Sequence, residues 1–356
     1  MINGEGLEAG GRQVSGGIGF VVNPVSGNGR GRRVWGKLER VLQDRKINYQ
    51  VRFTGRIGEA EKLAAELARQ SDLSTIVAVG GDGTVHEVVN GLYQWLQDND
   101  SGQMNYSARK QATIRMGYIP AGSGNDFARA HQIPRYPLEA LELILSNHVV
   151  GNASHAGIGD KAYEPAQPSH AIDLIKFSNN RVAVNVVGAG LDGQVAHEAN
   201  HASYKPWCNR FGLGGIAYVI SLVRILFSYQ PCSLSINVDG QNETLTDVWL
   251  IAVANSPYYG GGMKICPQAQ SDDGIAEICV VYRVSRWTLL RMFPQVFSGA
   301  HVSHPGVHFY RGRKITLRAD KELFLQADGE GEKFTQLVIE MLPAYLPILN
   351  GKNTLN

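Results

Sequence analysis

The chain has 356 residues, with 34 Lys and Arg against 32 Asp and Glu and a formal net charge of +2. So weak a field excludes a general nucleic-acid binder, whose footprint is strongly basic, while the length suffices for two domains, each able to bury its own core. Glycine supplies 41 residues, above the ordinary share of about 7% and without a collagen-like period, so many backbone positions need positive φ or close approach to a partner.

Residues 1–16 are polar and Gly-rich, lack the apolar core of a signal peptide, and are expected to form a disordered tail. A first domain is predicted over 17–150. Residues 18–23 form a β-branched strand that runs into Asn23-Pro24-Val25-Ser26-Gly27. A helix follows from Arg32 to Arg45, with Val34, Leu38, Val41 and Leu42 on one face. Val51–Thr54 is a second short strand, and Gly58–Arg69 is a helix with Ala60, Leu63, Ala64 and Leu67 inward. Thr75–Val79 is a continuous apolar run, the mark of a strand buried on both faces. It stops at Gly80-Gly81-Asp82-Gly83-Thr84, and a helix carries on through Val85, Val88, Val89 and Leu92. Residues 97–112 are rich in Gln, Asn and Ser and are expected to be an inserted surface loop. Ile114–Ile119 supplies another strand, followed by Pro120-Ala121-Gly122-Ser123-Gly124-Asn125-Asp126 and a helix through Phe127 and Ala128. Strands alternating with helices predict an α/β domain with a doubly wound, mostly parallel sheet.

The pattern changes near residue 150. Residues 152–169 are polar and read as a hairpin loop. Strands then dominate, at 181–187, 232–238, 244–254, 275–283, 313–318, 322–327 and 335–341, with helical stretches near 212–229 and 285–298. This second domain, 151–345, is expected to be a mostly antiparallel β unit, with 346–356 as a tail. No fixed-period repeat is present.

Cys208, Cys232, Cys266 and Cys279 show neither CxxC spacing nor His partners. That argues against structural zinc and for a reducing, cytoplasmic compartment, which makes the Asn-x-Ser/Thr matches at Asn105, Asn152 and Asn242 chance ones. The most apolar stretch, Ile216–Phe227, contains Arg224 and is too short to span a bilayer. Residues 1–55 hold nine Lys and Arg against four acids, a basic segment that is either solvated surface or a site for anionic phosphates.

Three Gly, Asn and Asp-rich turns each follow a predicted parallel strand and precede a helix. That places all three at the carboxyl edge of the sheet, where open α/β sheets bind ligands. Gly80–Thr84 suits phosphate physically: glycine lets backbone approach an anion, and the N–H groups of the following helix start point toward it. Thr84 adds a hydroxyl, and Asp82 a carboxylate able to hold Mg2+ directly or through water. Gly188–Gly193 matches G-x-G-x-x-G, but it sits in the β-rich half with no acidic residue about 20 positions on, against a dinucleotide site. Gly27-Asn28-Gly29-Arg30-Gly31 lacks the Gly-Lys-Ser/Thr ending of a P-loop.

The order of these turns resembles the diacylglycerol kinase catalytic-domain family, most closely its soluble bacterial branch of two-domain lipid kinases, which is related to sphingosine kinases. The motifs are Asn23–Gly27, Gly80–Thr84, Gly122–Ala128, Gly188–Asp192, Asp272-Asp273-Gly274 and Asp328-Gly329-Glu330, together spanning about 18–342. The resemblance implies an ATP site built from Asn23, Thr54, the segment Gly80, Gly81, Asp82, Gly83, Thr84, Val85, His86, and Ser123, where family members usually carry Thr. Asn125 and Asp126 complete the nucleotide edge. It implies a structural Mg2+ held by the Asp273 carboxylate and the carbonyls of Gln270 and Ile275, and Glu330 as general base. Asp328 is the alternative base, or the residue that holds Glu330 in place.

Phosphoryl transfer asks for positioning and charge neutralisation more than covalent chemistry. Backbone N–H groups of Gly81, Gly83 and Thr84 would hold phosphates, a catalytic Mg2+ would be water-linked to Asp82 and Asp126, and Arg30, Arg32 or Arg33 would add positive charge. The acceptor implied is diacylglycerol or a related lipid alcohol. The expected partners are therefore ATP and that lipid, with transient membrane-surface contact, no nucleic acid, and a homodimer left open. The alternatives are a catalytically weak nucleotide- and lipid-binding regulator and a kinase of a soluble acceptor.

Overall fold

The computed structural model describes residues 17–100, 114–148, 170–177, 181–201 and 222–351. The first domain alternates as its hydrophobic pattern requires: β1 (Gly17–Val22), α1 (Ser26–Asp44), β2 (Tyr49–Phe53), α2 (Glu59–Ala68), β3 (Leu73–Gly80), α3 (Asp82–Asp100), β4 (Arg115–Pro120), α4 (Asp126–Ala130) and α5 (Pro137–His148). The four strands pair in parallel in the order β2-β1-β3-β4. Chain order reverses between β1 and β3, which leaves a crevice at their carboxyl ends. The burial of β3 on both faces explains its unbroken apolar run.

The second domain follows with β5 (His170–Phe177), β6 (Arg181–Ala183), β7 (Val186–Gly190), α6 (Leu191–His201), β8 (Cys232–Val238), β9 (Gln241–Ala254), the short hairpin β10 (Tyr258–Tyr259) and β11 (Met263–Lys264), β12 (Ala276–Tyr282), α7 (Arg286–Ser298), β13 (Val307–Gly312), β14 (Lys314–Ala327) and β15 (Glu330–Ile348). Except for the parallel pairing of β15 with β4, its pairings are antiparallel. Strands β9 and β14 each pair with both β7 and β8, so the four close into a ring around a second core that includes Leu234, Ile236, Ile251, Val253, Ile315 and Leu325. In β8 the period-2 alternation is complete, with Cys232, Leu234, Ile236 and Val238 buried. A third cluster covers the outer face, where Val186, Ala252, Cys279 and Val281 meet Leu191 and Val195 of α6, Ile225 and Leu226 of helical residues 222–228, and Leu289 and Met292 of α7.

Several boundaries differ from the sequence expectation. Helix α3 runs to Asp100, past the expected loop start at 97. The strand expected over 181–187 breaks at 184–185 into β6 and β7, and those expected at 313–318 and 322–327 are one strand, β14, with a register shift between them. Helices α5 and α6 and strands β5 and β13 were not anticipated. The expected tail 1–16 and loop 152–169 lie outside the described residues, as does 212–221 of the expected helix.

The expected tail at 346–356 is corrected over its first residues. Strand β15 continues to Ile348, which pairs in parallel with Met116 of β4, and Leu346, Ile348 and Leu349 join the first domain's core. Pro343 and Pro347, ordinarily strand breakers, disguise this: a register shift between Leu342 and Leu346, with Ala344 at φ 46°, carries the strand past them. Replacing Ile348, 1% exposed, with Ala is therefore expected to lower stability by about 2–5 kcal/mol, read as a fall in the urea midpoint without a change of slope.

Candidate active site

The three turns expected at the carboxyl edge meet there. Gly27, Asn28 and Gly29 have φ of 55°, 57° and 79°, a left-handed run that swings the chain from β1 into α1. Gly81 and Gly122 touch backbone to backbone: a Cβ on Gly81 would lie 3.1 Å from the Gly122 Cα, and one on Gly122 would overlap Gly81. Asn23 ties the first turn to the second, its Nδ2 donating to Thr84 Oγ1 at 3.2 Å while its Oδ1 accepts the Val25 N–H. Thr54, buried at the end of β2, donates its N–H to Val22. Asn125, at φ 53°, staples the third turn by accepting from Gly122 N–H and Tyr118 Oη and donating to Gly122 O. Ser123 is exposed at that turn's tip.

Helix α3 starts directly on the second turn, and its first intrahelical bond runs from Val85 N–H to Gly81 O. The N–H groups of Asp82, Gly83 and Thr84 thus belong to the helix's first turn, which has no helical acceptor and carries the positive end of the dipole. Gly83 is exposed, with nothing within 4 Å of where a Cβ would sit. An anion can approach there.

The carboxylates of Asp82 and Asp126 face one cleft. Asp82 Oδ1 accepts the Phe127 N–H at 3.0 Å; Asp126 Oδ1 pairs with Arg129, and its Oδ2 accepts the Gly261 N–H at 2.6 Å. Burial, reinforced by the neighbouring Asp126, pushes the Asp82 carboxyl up to about 6. Burial also raises Asp126, against the opposing pull of the Gly261 N–H and Arg129. Two desolvated carboxylates facing one cleft are a donor set that a hard cation relieves. The fit of a cation at Asp82 rests on that.

The cleft, of about 230 Å3, lies between the domains and is also lined by Asn185, Asp192, Tyr259, Gly261, Gln326 and Gly329. Sequence reasoning missed most of these. Asp192 was legible as the end of Gly188–Asp192; its oxygens accept from Tyr259 Oη at 3.2 Å and Gln326 Nε2 at 3.0 Å. The run Gly260-Gly261-Gly262, with φ of 60°, 87° and 112°, was a readable turn signal. It brings the β10–β11 hairpin over Asp126, with Arg129 5.4 Å from the Tyr258 ring centre.

Val85 and His86, expected at the nucleotide, are both buried. Val85 is in the core with Val88 and Val89, as the helical period requires. His86 points into the domain junction, its Nδ1 3.2 Å from Asp328 Oδ2. Asp328 is the centre of a clasp. Its side chain is wholly buried, and it accepts the N–H groups of Val184 at 2.7 Å, Asn185 at 3.0 Å and Val186 at 3.2 Å. Both oxygens are thereby engaged by backbone N–H groups and the His86 ring. Asn90, one turn along α3, adds reciprocal bonds to Val182. Of Glu330 the backbone is described, paired with Ala327 at the start of β15; its side chain lies outside the described residues.

At the Asp272–Gly274 turn, the one side chain that the resemblance implied as a cation ligand is engaged within the chain. Asp273 Oδ2 is held by Arg311 at 2.6 Å and its Oδ1 accepts the Ile275 N–H at 3.0 Å. Gly274 N–H donates to Asp173, and Asp272 pairs with His170. The guanidinium supplies positive charge at Asp273; the carbonyls of Gln270 and Ile275 remain the expected backbone ligands. Among the described residues no group of three or more His, Cys, Asp or Glu side chains is arranged to hold a metal.

Comparison with known proteins agrees with this architecture. Residues 18–154 match the diacylglycerol kinase catalytic domain, and residues 185–350 the YegS C-terminal NAD kinase beta sandwich-like domain. The "Putative lipid kinase YtlR" of Bacillus subtilis is 27% identical over 317 residues, covering 87% of this chain and 92% of its own. A diacylglycerol kinase of Mycobacterium tuberculosis is 27% identical over 340 residues, 94% of each chain. A solved diacylglycerol kinase structure from Bacillus anthracis str. Sterne superposes with a TM-score of 0.62 at 19% identity, over 95% of this chain and 98% of that one, a likeness of fold.

Two outcomes follow from the buried carboxylates. Asp328→Asn is expected to destabilise the fold by about 3 kcal/mol, since charge-assisted bonds to a buried acceptor are lost, seen as a lower urea midpoint at pH 7.5. Asp82→Asn should do the opposite. A carboxyl raised to about 6 binds its proton more tightly in the folded chain, so its contribution falls as pH rises from about 4 through 6. The substitution therefore gains up to about 3 kcal/mol at pH 7.5, a gain that shrinks to nothing by about pH 4 in paired denaturation curves.

Proposed function

We propose that this chain, which belongs to the diacylglycerol kinase catalytic-domain family, transfers the γ-phosphate of ATP to the hydroxyl of diacylglycerol or a related lipid alcohol, with Mg2+. The observation that carries the reading is the convergence of three strand–helix turns and two desolvated carboxylates on one interdomain cleft. The relatives named diacylglycerol kinase and lipid kinase align over most of both chains.

The first-turn N–H groups of α3 receive phosphate oxygens, with Gly83 leaving the backbone bare for close approach. Arg30, beside the first turn, lies near enough to act electrostatically on Tyr118 and adds positive charge at that edge. Asp82, through Oδ2 and directly or by way of water, would hold Mg2+, which supplies neutralisation of the phosphate oxygens. Asp126 shapes the same wall while it anchors the Gly261 loop. Glu330 opens β15 immediately after the Asp328–Gly329 turn that lines the cleft. Its assigned role is to take the proton of the acceptor hydroxyl as that oxygen attacks the γ-phosphorus in line and the bond to ADP breaks. Asp328 holds the hairpin that presents it.

Incubation of the purified protein with γ-labelled ATP, Mg2+ and vesicles containing diacylglycerol is expected to move label into the lipid extract. Absence of label from every lipid alcohol tested, with ATP binding intact, would remove the kinase reading. Glu330→Gln is expected to lower kcat at least 100-fold with the KM for ATP and the urea midpoint unchanged, the reverse of the Asp328→Asn signature. Normal turnover by that variant would take the base role from Glu330.

A further inference from the structure

Helical residues 222–228 and α7 lie side by side on the outer face of the second domain, and each puts an aromatic ring into solvent. Phe227 is 49% exposed and Trp287 62% exposed, yet their rings meet edge to face with centroids 5.6 Å apart. Val223, at 37%, lies one turn before Phe227. Isolated apolar side chains on a surface need no explanation. A contiguous pair from two elements, held in place by the fold, does.

The pair is rigidly presented. Ser285 caps α7 by accepting the Thr288 N–H at 3.1 Å, which fixes Trp287 in the first turn. Arg286 then donates to the carbonyls of Leu226 and Tyr229, at 3.2 and 3.0 Å, and clamps the two elements together. The charge around the rings has one sign along the chain: residues 222–230 and α7 contain Arg224, Arg286 and Arg291 and no Asp or Glu. Arg291, exposed, shares a helix face with Trp287 at i,i+4. The carboxylate beside them is Glu198 of α6, 3.5 Å from Arg224.

The location connects the patch to the cleft. Ile225 and Leu226 pack against Leu191 and Val195 of α6, and α6 contributes Asp192 and Ala196 to the cleft wall. Among the described residues no helix is long and apolar enough to cross a membrane. We infer that Phe227 and Trp287, flanked by Arg224 and Arg291, dock this face onto an anionic lipid bilayer and set the cleft one helix away from the acceptor layer. Aromatic rings favour the interfacial zone and arginines favour its anionic headgroups. The inference rests on the lipid-acceptor reading, but its test does not require turnover.

The full chain is sedimented, without ATP, with vesicles of phosphatidylglycerol and phosphatidylcholine in equal parts and with vesicles of phosphatidylcholine alone. Preferential binding to the anionic vesicles is expected, weakened at least 10-fold in Phe227→Ala/Trp287→Ala and in Arg291→Glu. Both variants should keep the wild-type urea midpoint, since the altered side chains are exposed. In the kinase assay they should lose rate on vesicle-borne diacylglycerol while retaining it on a short-chain, water-soluble diacylglycerol. Unchanged vesicle binding by the folded double variant would overturn the inference. So would a variant that binds vesicles normally but changes from dimer to monomer in sedimentation velocity, because the face would then be an interface between two copies. Failure of all lipid phosphorylation with the vesicle effect intact would count against the kinase reading alone.

Discussion

One buried carboxylate sets how the two domains meet. Asp328 sits in the tight turn between β14 and β15, at φ 50° with Gly329 at 99°, the left-handed pair that a two-residue hairpin needs. Its oxygens gather three consecutive N–H groups at the break between β6 and β7, and the His86 ring of α3 closes the set. Unmet, each of those buried donors would cost about 1–3 kcal/mol. The helix that begins at the Gly80–Thr84 turn is thereby pinned to the hairpin between β14 and β15. The breadth of the cleft is a consequence of that contact and of the reciprocal bonds between Asn90 and Val182.

The cleft is electrostatically unfinished. Desolvation raises Asp82 and Asp126 together, a cost the folded chain carries until positive charge arrives. The neighbouring helix start offers the opposite sign a few ångströms away. A cation on the carboxylate side and a phosphate chain on the helix side are complementary to each other as well as to the walls. At the Asp272–Gly274 turn the same problem has a different solution. There Arg311 pairs with Asp273 from within the chain.

Much of the first domain was legible because its elements are amphipathic in a simple way. The unbroken Thr75–Val79 run and the glycine-rich turns behind β1, β3 and β4 gave both the parallel sheet and its ligand edge. The second domain was harder to read. Its strands β9 and β14 are long and change partners midway, so one strand looks like two when a charged bend interrupts the pattern. The end of β15 hid behind Pro343 and Pro347. Asn185, Tyr259 and Gln326 enter the cleft singly, with no motif around them. His86 lay inside a motif, but its partner Asp328 is 242 residues away in sequence, so spacing gave no sign of the contact.

By itself the sequence determined the two-domain order, the parallel sheet and the place of the glycine-rich turns, because local periodicity and glycine chemistry act over a few residues at a time. Only the tertiary structure decided which carboxylates do what. Asp82, Asp126, Asp192 and Asp328 are all short acids near Gly-rich turns, indistinguishable by spacing. Burial and partners separate them: Asp328 is consumed by three N–H groups and a histidine, Asp192 by a tyrosine and a glutamine, and Asp126 by a loop and Arg129. Asp82, held by the Phe127 N–H, keeps its carboxylate on the cleft wall, where residues of both domains come together only in the folded chain.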